Sequence, residues 1–386
     1  MFKHNRRLLV VSAITLVNAL GYGIVIPILF VYSSKYGLSA FSLGILFSIY
    51  SICEFLSTPF IGILSDKYGR RPLLIFSLLG TAGSFFLMAF APSAVFLFLA
   101  RALDGITAGD FPVAQAVISD TTEKKDRARG FGIIGACYGI GVVAGPAVSA
   151  LTAGISIQLP FIIAGVLSTL AVIMTIFFLE ETNRHIGIVQ NKKIFDWKKL
   201  AHAVLDRATG LTLLVSFLWS FAFGMFVYTY QSFALKVLHL SPTNISLTFL
   251  LFGVVSLVTQ LLIVSRLSKK MGSSRALTLA LATLVISFLI FLLGHSITTV
   301  IIAIIILAVS NTLVQTLVQT LLSEETESER QGEIMGIATS YNSMGQIVGP
   351  ILAGSIAIFG VSYSFLASAI LIFIGFVFSR RVRPSL

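Results

Sequence analysis

Apolar runs of about 20 residues recur along the whole chain, separated by short polar connections. A run of that length carries an α-helix across a hydrocarbon core about 30 Å thick. The pattern predicts spans near 8–32, 41–62, 72–91, 94–118, 130–151, 158–179, 209–233, 243–265, 276–294, 297–322, 331–355 and 361–379. The longest polar stretch, Glu180 to Arg207, divides them six and six. The expected fold is an all-α membrane protein of twelve transmembrane helices in two six-helix pseudo-repeats. Its divisions are an N-terminal bundle at 1–180, a linker at 181–207 and a C-terminal bundle at 208–386.

Composition agrees. Of 386 residues, 56% are hydrophobic and 11% charged, where a soluble domain carries roughly 25% charged residues. All but three of the 27 Lys and Arg fall in alternate connections and at the two termini: Lys3, Arg6 and Arg7; Lys67, Arg70 and Arg71; Lys124 to Arg129; Arg184 to Arg207; Arg266 to Arg275; Arg330; and Arg380 to Arg383. The opposite side keeps only Lys35 and Lys236, and Arg101 lies within a span. Cytoplasmic loops retain basic residues, so both termini are expected in the cytoplasm. The net charge of +11 is thus a topology signal and not a nucleic-acid footprint. The apolar run after Arg7 is about twice a usual signal-peptide core and is interrupted by Gly21, Gly23 and Pro27, so it reads as a first span. Cys53 and Cys137 sit inside apolar runs and read as packing residues, with neither a disulfide framework nor a metal site around them.

The halves repeat one another. Leu64-Ser65-Asp66-Lys67-Tyr68-Gly69 aligns with Leu267-Ser268-Lys269-Lys270-Met271-Gly272 at an offset of 203. Gly132, Gly141, Gly145 and Pro146 return as Gly336, Gly345, Gly349 and Pro350 at an offset of 204. Paired six-span halves are an architecture of secondary transporters, whose site lies between repeats near mid-bilayer.

The connection Gly62-Ile-Leu-Ser-Asp66-Lys-Tyr-Gly69-Arg70-Arg71-Pro72 closely resembles the signature loop of the major facilitator superfamily. Gly62 reads as a point of close helix approach, Asp66 as an anion beside a helix end, and Arg70 and Arg71 as partners for carboxylates. The resemblance implies a cytoplasmic latch, with Asp120 the acidic partner of Arg70 or Arg71. Gly132 to Pro146 resembles the fifth-helix motif of the antiporter branches, with Gly135, Gly139, Gly145 and Pro146 allowing tight packing and a kink. That pattern often continues with two glycines where Ser149 and Ala150 stand here. Arg101 to Gly109, with Leu16 to Gly23 and Pro27, is most similar to the twelve-helix drug:proton antiporters, tetracycline exporters included. Those exporters often carry an acid where this chain has Asn18.

Of 16 acids, only Glu54, Asp104 and Asp110 fall well inside spans. An ionised group there costs about 2.5–3.5 kcal/mol on insertion scales, so each needs a partner or a proton. Arg101 and Asp104 share a helix face, about 12–17 Å deep at 1.5 Å per residue from Ser93. They read either as a static ion pair or as part of a coupling site. Glu54, roughly 20 Å deep, reads either as a structural carboxyl or as the proton carrier, having no basic residue near it in sequence. Asp110, six residues beyond Asp104, is expected to point elsewhere, into a different contact. Asn311, Gln315 and Gln319 form a stripe facing either a cavity or a neighbouring helix. Asn18, Tyr22, Asp110, Trp219, Asn311, Gln315 and Asn342 are the cavity candidates. Glu324, Glu325, Glu327 and Glu329 read as a solvated run.

No nucleophile–base spacing, phosphate loop or metal cluster points to an enzyme, and no cofactor is expected beyond protons as coupling ion. The resemblance implies proton-coupled export of a small amphipathic molecule or drug by a multi-pass protein of a bacterial cytoplasmic (inner) membrane. Its partners would be that small-molecule substrate and the lipid bilayer, with no nucleic acid, and it would act as a monomer. Metabolite uptake, and a non-transporting receptor or scaffold on the same fold, are the alternatives. Cysteine-accessibility labelling in intact cells is expected to find positions 196 and 328 shielded in the cytoplasm and positions 33–39 open to external reagent. External labelling of position 196 would invert the topology.

Overall fold

A computed structural model describes residues 2–122, 126–183, 197–206, 208–294, 296–327 and 330–382. Lys124, Lys125, Arg184, Lys192, Lys193, Arg207, Glu329 and Arg383, and the labelling positions Asp196 and Ser328, lie outside the described residues. The described residues form fifteen helices. Helices dominate because hydrocarbon offers backbone N–H and C=O groups no partner except one another. Among the described residues, nine helices are long and apolar enough to cross a membrane. The other three predicted spans are also helical. The 94–118 span is broken into two short helices, 331–355 is one helix of 26 residues, and 361–379 is one of 17.

The chain clusters into two compact units. The first comprises Met1–Leu38, Ile49–Ile194 and Ser241–Leu250; the second comprises Ser39–Ser48, Phe195–Leu240 and Leu251–Leu386. The first seven helices are α1 (Phe2–Ser34), α2 (Ala40–Tyr68), α3 (Arg70–Ala89), α4 (Ala94–Thr107), α5 (Asp110–Thr121), α6 (Arg127–Thr152) and α7 (Leu159–Phe178). A short α8 (Trp197–Ala203) follows. Then come α9 (Gly210–Lys236), α10 (Pro242–Leu262), α11 (Val264–Met271), α12 (Ser273–Leu293), α13 (Ile297–Glu324), α14 (Gln331–Ile356) and α15 (Tyr363–Ser379). Within the first unit α1 packs on α6 and α7, and α3 on α4, α5 and α7; within the second, α9 packs on α14 and α15, and α12 on α13 and α15. Val11, Ile14, Leu74, Leu78 and Val117 belong to the core of the first unit.

Helices in lipid gain nothing by excluding water from one another, so close backbone approach takes over. Gly145 lies against the backbone of Gly23, and Gly141 against Leu16 and Leu20, which joins α1 to α6. Ser149 then donates to the Ile24 carbonyl at 2.9 Å, extending that seam where the antiporter pattern has glycine. The repeat reproduces the seam: Gly345 meets Phe221, and Gly349 meets Phe221, Gly224 and Met225, joining α9 to α14. Not every motif glycine packs. Gly135, Gly139 and Gly62 border open space, which corrects the reading of all three as close-approach positions.

The acidic run also needs correcting. Glu325 follows the last residue of α13 and is only 8% exposed. Thr212 donates to its Oε1 at 2.9 Å, while Oε2 has no hydrogen-bond partner. Desolvation pushes this carboxyl up to about 7, with the Thr212 hydrogen bond opposing and Glu324 and Asp206 adding.

Two outcomes follow from this packing. Gly145→Val should lower the thermal midpoint of purified protein, since an overpacked seam costs about 1–3 kcal/mol, whereas Gly135→Ala should leave it unchanged. Because the folded-state value of Glu325 lies above its unfolded one, its contribution is complete below the unfolded value and is lost as pH rises through about 7. Glu325→Gln keeps the Thr212 hydrogen bond without the charge. It should therefore stabilise the protein at pH 8, by roughly 1–3 kcal/mol, and leave it unchanged at pH 4.

Candidate functional site

The spans alone do not place the polar site; a helix break does. Ala108 and Gly109 separate α4 from α5, and a broken helix in hydrocarbon leaves carbonyls that must find new partners. Ser57 donates to the Gly105 carbonyl at 2.8 Å, and Thr58 donates to the Ala108 carbonyl at 3.2 Å. Gly105 sits against the Tyr50 carbonyl and Cys53, so α4 and α2 meet backbone to backbone beside Glu54. Both cysteines are free and half-buried.

Arg101, Asp104 and Asp110 are each less than a tenth exposed, and Glu54 is half-buried. Arg101 Nη1 lies 3.4 Å from Asp104 Oδ2, and its guanidinium carbon lies 4.5 Å from the centre of the Tyr50 ring. Its Nε is buried without a hydrogen-bond partner. The Tyr50 hydroxyl donates to Glu54 Oε1 at 3.3 Å. Glu54 interacts electrostatically with Asp104, Asp110 and Arg101. The Thr81 and Ser84 side chains also act on the Asp104 carboxylate, and the Ser84 hydroxyl donates to the Thr81 carbonyl at 2.8 Å. Asn18 hydrogen-bonds Asp110, whose carboxyl also meets the N–H groups of Asp110 and Phe111 at the start of α5, where the helix dipole favours an anion. The Tyr22 and Tyr50 rings lie 6.4 Å apart, and Tyr138 stacks obliquely on Phe111 at 5.1 Å.

Asp110 keeps a contact of its own, with Asn18 and the start of α5, while its charge also acts on Glu54 and Asp104. One expectation is revised: Glu54 is not remote from a cation, because α2 and α4 bring Arg101 to it across Tyr50. Tyr50, Tyr138, Thr81 and Ser84 were missed in the sequence. Tyr50 precedes Glu54 by four residues on one helix face, a spacing that points to such a pair.

In the second unit the polar candidates bond internally. Trp219 Nε1 donates to Asn311 Oδ1 at 2.8 Å, and Ser216 donates to Asn342 Oδ1 at 2.8 Å. Asn311 is buried while Gln315 and Gln319 are exposed, so the expected stripe spans two environments. Among the described residues no group of three His, Cys, Asp or Glu side chains is arranged to hold a metal ion.

The signature loop forms a second polar cluster. Arg70 pairs with Asp66 at 2.6 Å and with Asp120 at 3.1 Å, and it donates to the Ser65 hydroxyl at 2.6 Å. Arg71 instead donates its guanidinium to the Ile176 carbonyl at 2.6 Å. Gly69 adopts φ 107°, a region that favours glycine, and turns the chain so that the first N–H groups of α3 point at one acceptor. That acceptor is Glu181, three residues past α7, which takes the N–H groups of Arg70 and Arg71 at 2.9 and 3.0 Å. Glu181 also takes those of Thr182 and Asn183, both at 2.9 Å. It too was missed, because nothing local in sequence ties it to a loop 110 residues earlier.

With this geometry in place, comparison with known proteins is informative. The sequence matches the Major Facilitator Superfamily over residues 11–241 and again over 212–386. It is 27% identical to a class H tetracycline resistance protein of Pasteurella multocida over 93% of this chain and 91% of that one. It is 32% identical to a class C tetracycline resistance protein of Escherichia coli over 72% of each, and 24% identical to multidrug resistance protein 2 of Bacillus subtilis over 92% and 90%. Among solved structures, the nucleoside transporter NupG superimposes with a TM-score of 0.82 at 13% identity, over 97% of this chain and 99% of that one. The duplicated match, the full-length relatives and the shared fold converge, and the chain belongs to the major facilitator superfamily.

Proposed function

We propose that this protein is a secondary transporter that exports a small amphipathic molecule or drug across a bacterial cytoplasmic membrane in exchange for protons. The observation that carries the reading is a charge imbalance in the first unit. Glu54 and Asp104 share a single guanidinium, Arg101, and Asp110, held by Asn18, adds a third carboxyl whose charge acts on both. If all three carboxyls were ionised, two negative charges would lack a cation at a depth where each costs about 2.5–3.5 kcal/mol. Protons fill such a deficit, and a site that holds protons at mid-membrane is what coupling to a proton gradient needs. Asp110 has its own neutral donors in Asn18 and the start of α5, so exchange centres on Glu54 and Asp104, which share Arg101 through Tyr50 and directly.

The relatives support the direction of transport, being named for resistance to tetracycline and to multiple drugs. The basic bias of the connections supports cytoplasmic termini. Alternating access would come from rocking one six-helix half against the other, with the protein acting as a monomer and the Asp66–Arg70–Asp120 cluster as its cytoplasmic latch. Glu54 is the proton carrier in this reading, and Arg101–Asp104 senses its occupancy.

Everted vesicles loaded with a pH-sensitive dye test it. Glu54→Gln should abolish substrate-induced proton release while substrate binding stays measurable. Asp66→Asn should slow transport without loss of protein from the membrane. Uphill transport by Glu54→Gln but not by Asp104→Asn would move the carrier to Asp104. Normal uphill transport by both would overturn coupling through these acids.

A further inference from the structure

The two units solve the same corner differently. In the first, the turn at Gly69 aims the start of α3 at Glu181, and that carboxylate neutralises the corner between α3 and α7. In the second, the turn repeats at Gly272 with φ 82° and ψ 153°, against 107° and 156° at Gly69. Val382 lies three residues past α15, as Glu181 lies three past α7. Position 382 is a valine and brings no carboxylate of its own. Ser274 donates to the Val382 carbonyl at 2.6 Å, an uncharged bond in place of an anion.

The corner instead holds two cations. Arg275 and Arg380 are exposed and line a cleft of about 520 Å³ between α12 and α15, with Ser274 and Thr278. Neither arginine makes an ion pair among the described residues; Arg380 rests on the Phe376 ring, 4.8 Å from its centre. Arg266, Lys269 and Lys270 of the adjoining α11 are exposed and raise the positive potential further. Glu324 takes the Ser273 hydroxyl at 3.1 Å, and Ser273 is buried on α12 while Arg275 is exposed. One wall of the cleft is apolar, with Phe376 half-buried and Leu279 46% exposed.

We infer that this cleft binds the phosphate headgroup of an anionic phospholipid, which supplies the negative charge that Glu181 supplies in the first unit. Guanidinium pairs suit phosphate oxygens in bidentate geometry, while the Ser274 and Thr278 hydroxyls, donated to the Val382 and Ser274 carbonyls, hold the cleft between them in shape. Leu279 and Phe376 provide the surface for the first acyl carbons. Basic pockets at the cytoplasmic ends of transmembrane helices are recognised lipid sites, and that placement rests on the topology read from the charge bias. A soluble anion would have no use for the apolar wall.

Native mass spectrometry of the full-length protein, exchanged from detergent into vesicles of equimolar phosphatidylglycerol and phosphatidylcholine, tests this. Wild-type protein should retain phosphatidylglycerol about tenfold over phosphatidylcholine. Arg275→Gln/Arg380→Gln should lose that preference, and Arg275→Lys/Arg380→Lys should keep most of it. Both arginines are exposed, so a thermal midpoint matching wild type confirms that the variants fold. Val382→Glu, which restores an internal carboxylate, should also release the lipid. Equal retention of the two lipids, an unchanged preference in the glutamine variant, or displacement by millimolar inorganic phosphate would each overturn the inference. None of these readouts involves proton-coupled transport.

Discussion

A guanidinium in the middle of a membrane helix has few permissible surroundings, and Arg101 organises the first unit by demanding them. It needs a counter-charge, which Asp104 provides one turn away, and a polarisable surface, which the Tyr50 ring provides from α2. Tyr50 can reach only because Gly105 lets the two helix backbones meet, and Tyr50 in turn fixes Glu54. The break at Ala108–Gly109 belongs to the same arrangement. It turns the start of α5, and with it Asp110, toward the cluster, while Ser57 and Thr58 take up the carbonyls it frees. Any change to one of these parts leaves a charge or a backbone group without a partner in hydrocarbon, where such groups cost several kcal/mol.

The duplication shows which features belong to the scaffold and which to the chemistry. Both units keep the glycine seam between their first and fifth spans, α1–α6 and α9–α14, and both keep a positive-φ glycine ahead of the third span. These positions are constrained by backbone sterics, which are the same in either unit. The polar residues are not duplicated. The first unit gathers its buried charges around Arg101, and the second gathers neutral donors and acceptors such as Trp219–Asn311 and Ser216–Asn342. Charge at mid-membrane is expensive enough that one such cluster, in one unit, suffices for a function that needs a protonatable site.

Hydropathy and charge bias made the spans and the family legible from the sequence, because both are one-dimensional consequences of the bilayer. Arg101, Asp104 and Glu54 were legible for the same reason: a charged residue stands out in an apolar run. Their relations were not. Sequence distance separated Glu54 from Arg101, which the packing of α2 on α4 brings together across Tyr50. Helical periodicity, used to place Asp110, assumed an unbroken fourth span, and the chain breaks it at a pair of small residues that hydropathy cannot distinguish from the rest. Glu325 was misread because a charge run looks solvated until Thr212 of another helix covers part of it. Glu181 failed for the related reason that its partners are amide groups, which every residue has.

The chain meets a missing counter-charge in more than one way, and the medium decides which. Where Glu54 and Asp104 share one guanidinium beside Asp110, the medium is hydrocarbon and protein, and no mobile ion is as small or as readily desolvated as a proton. In the proposed function a proton removes the deficit without adding volume and leaves again when the site opens. Where Arg275 and Arg380 face a cleft between α12 and α15, the inferred counter-charge is an anion tethered to acyl chains, which would complete the corner without a protein carboxylate. Where Arg70 lies in the signature loop, neither is needed, since Asp66 and Asp120 are both within reach. The three arrangements differ less in their arginines than in what each environment can deliver to them. In the proposed function, that difference separates a site that exchanges its counter-ion in every transport cycle from sites whose counter-charge belongs to the protein or to the bilayer.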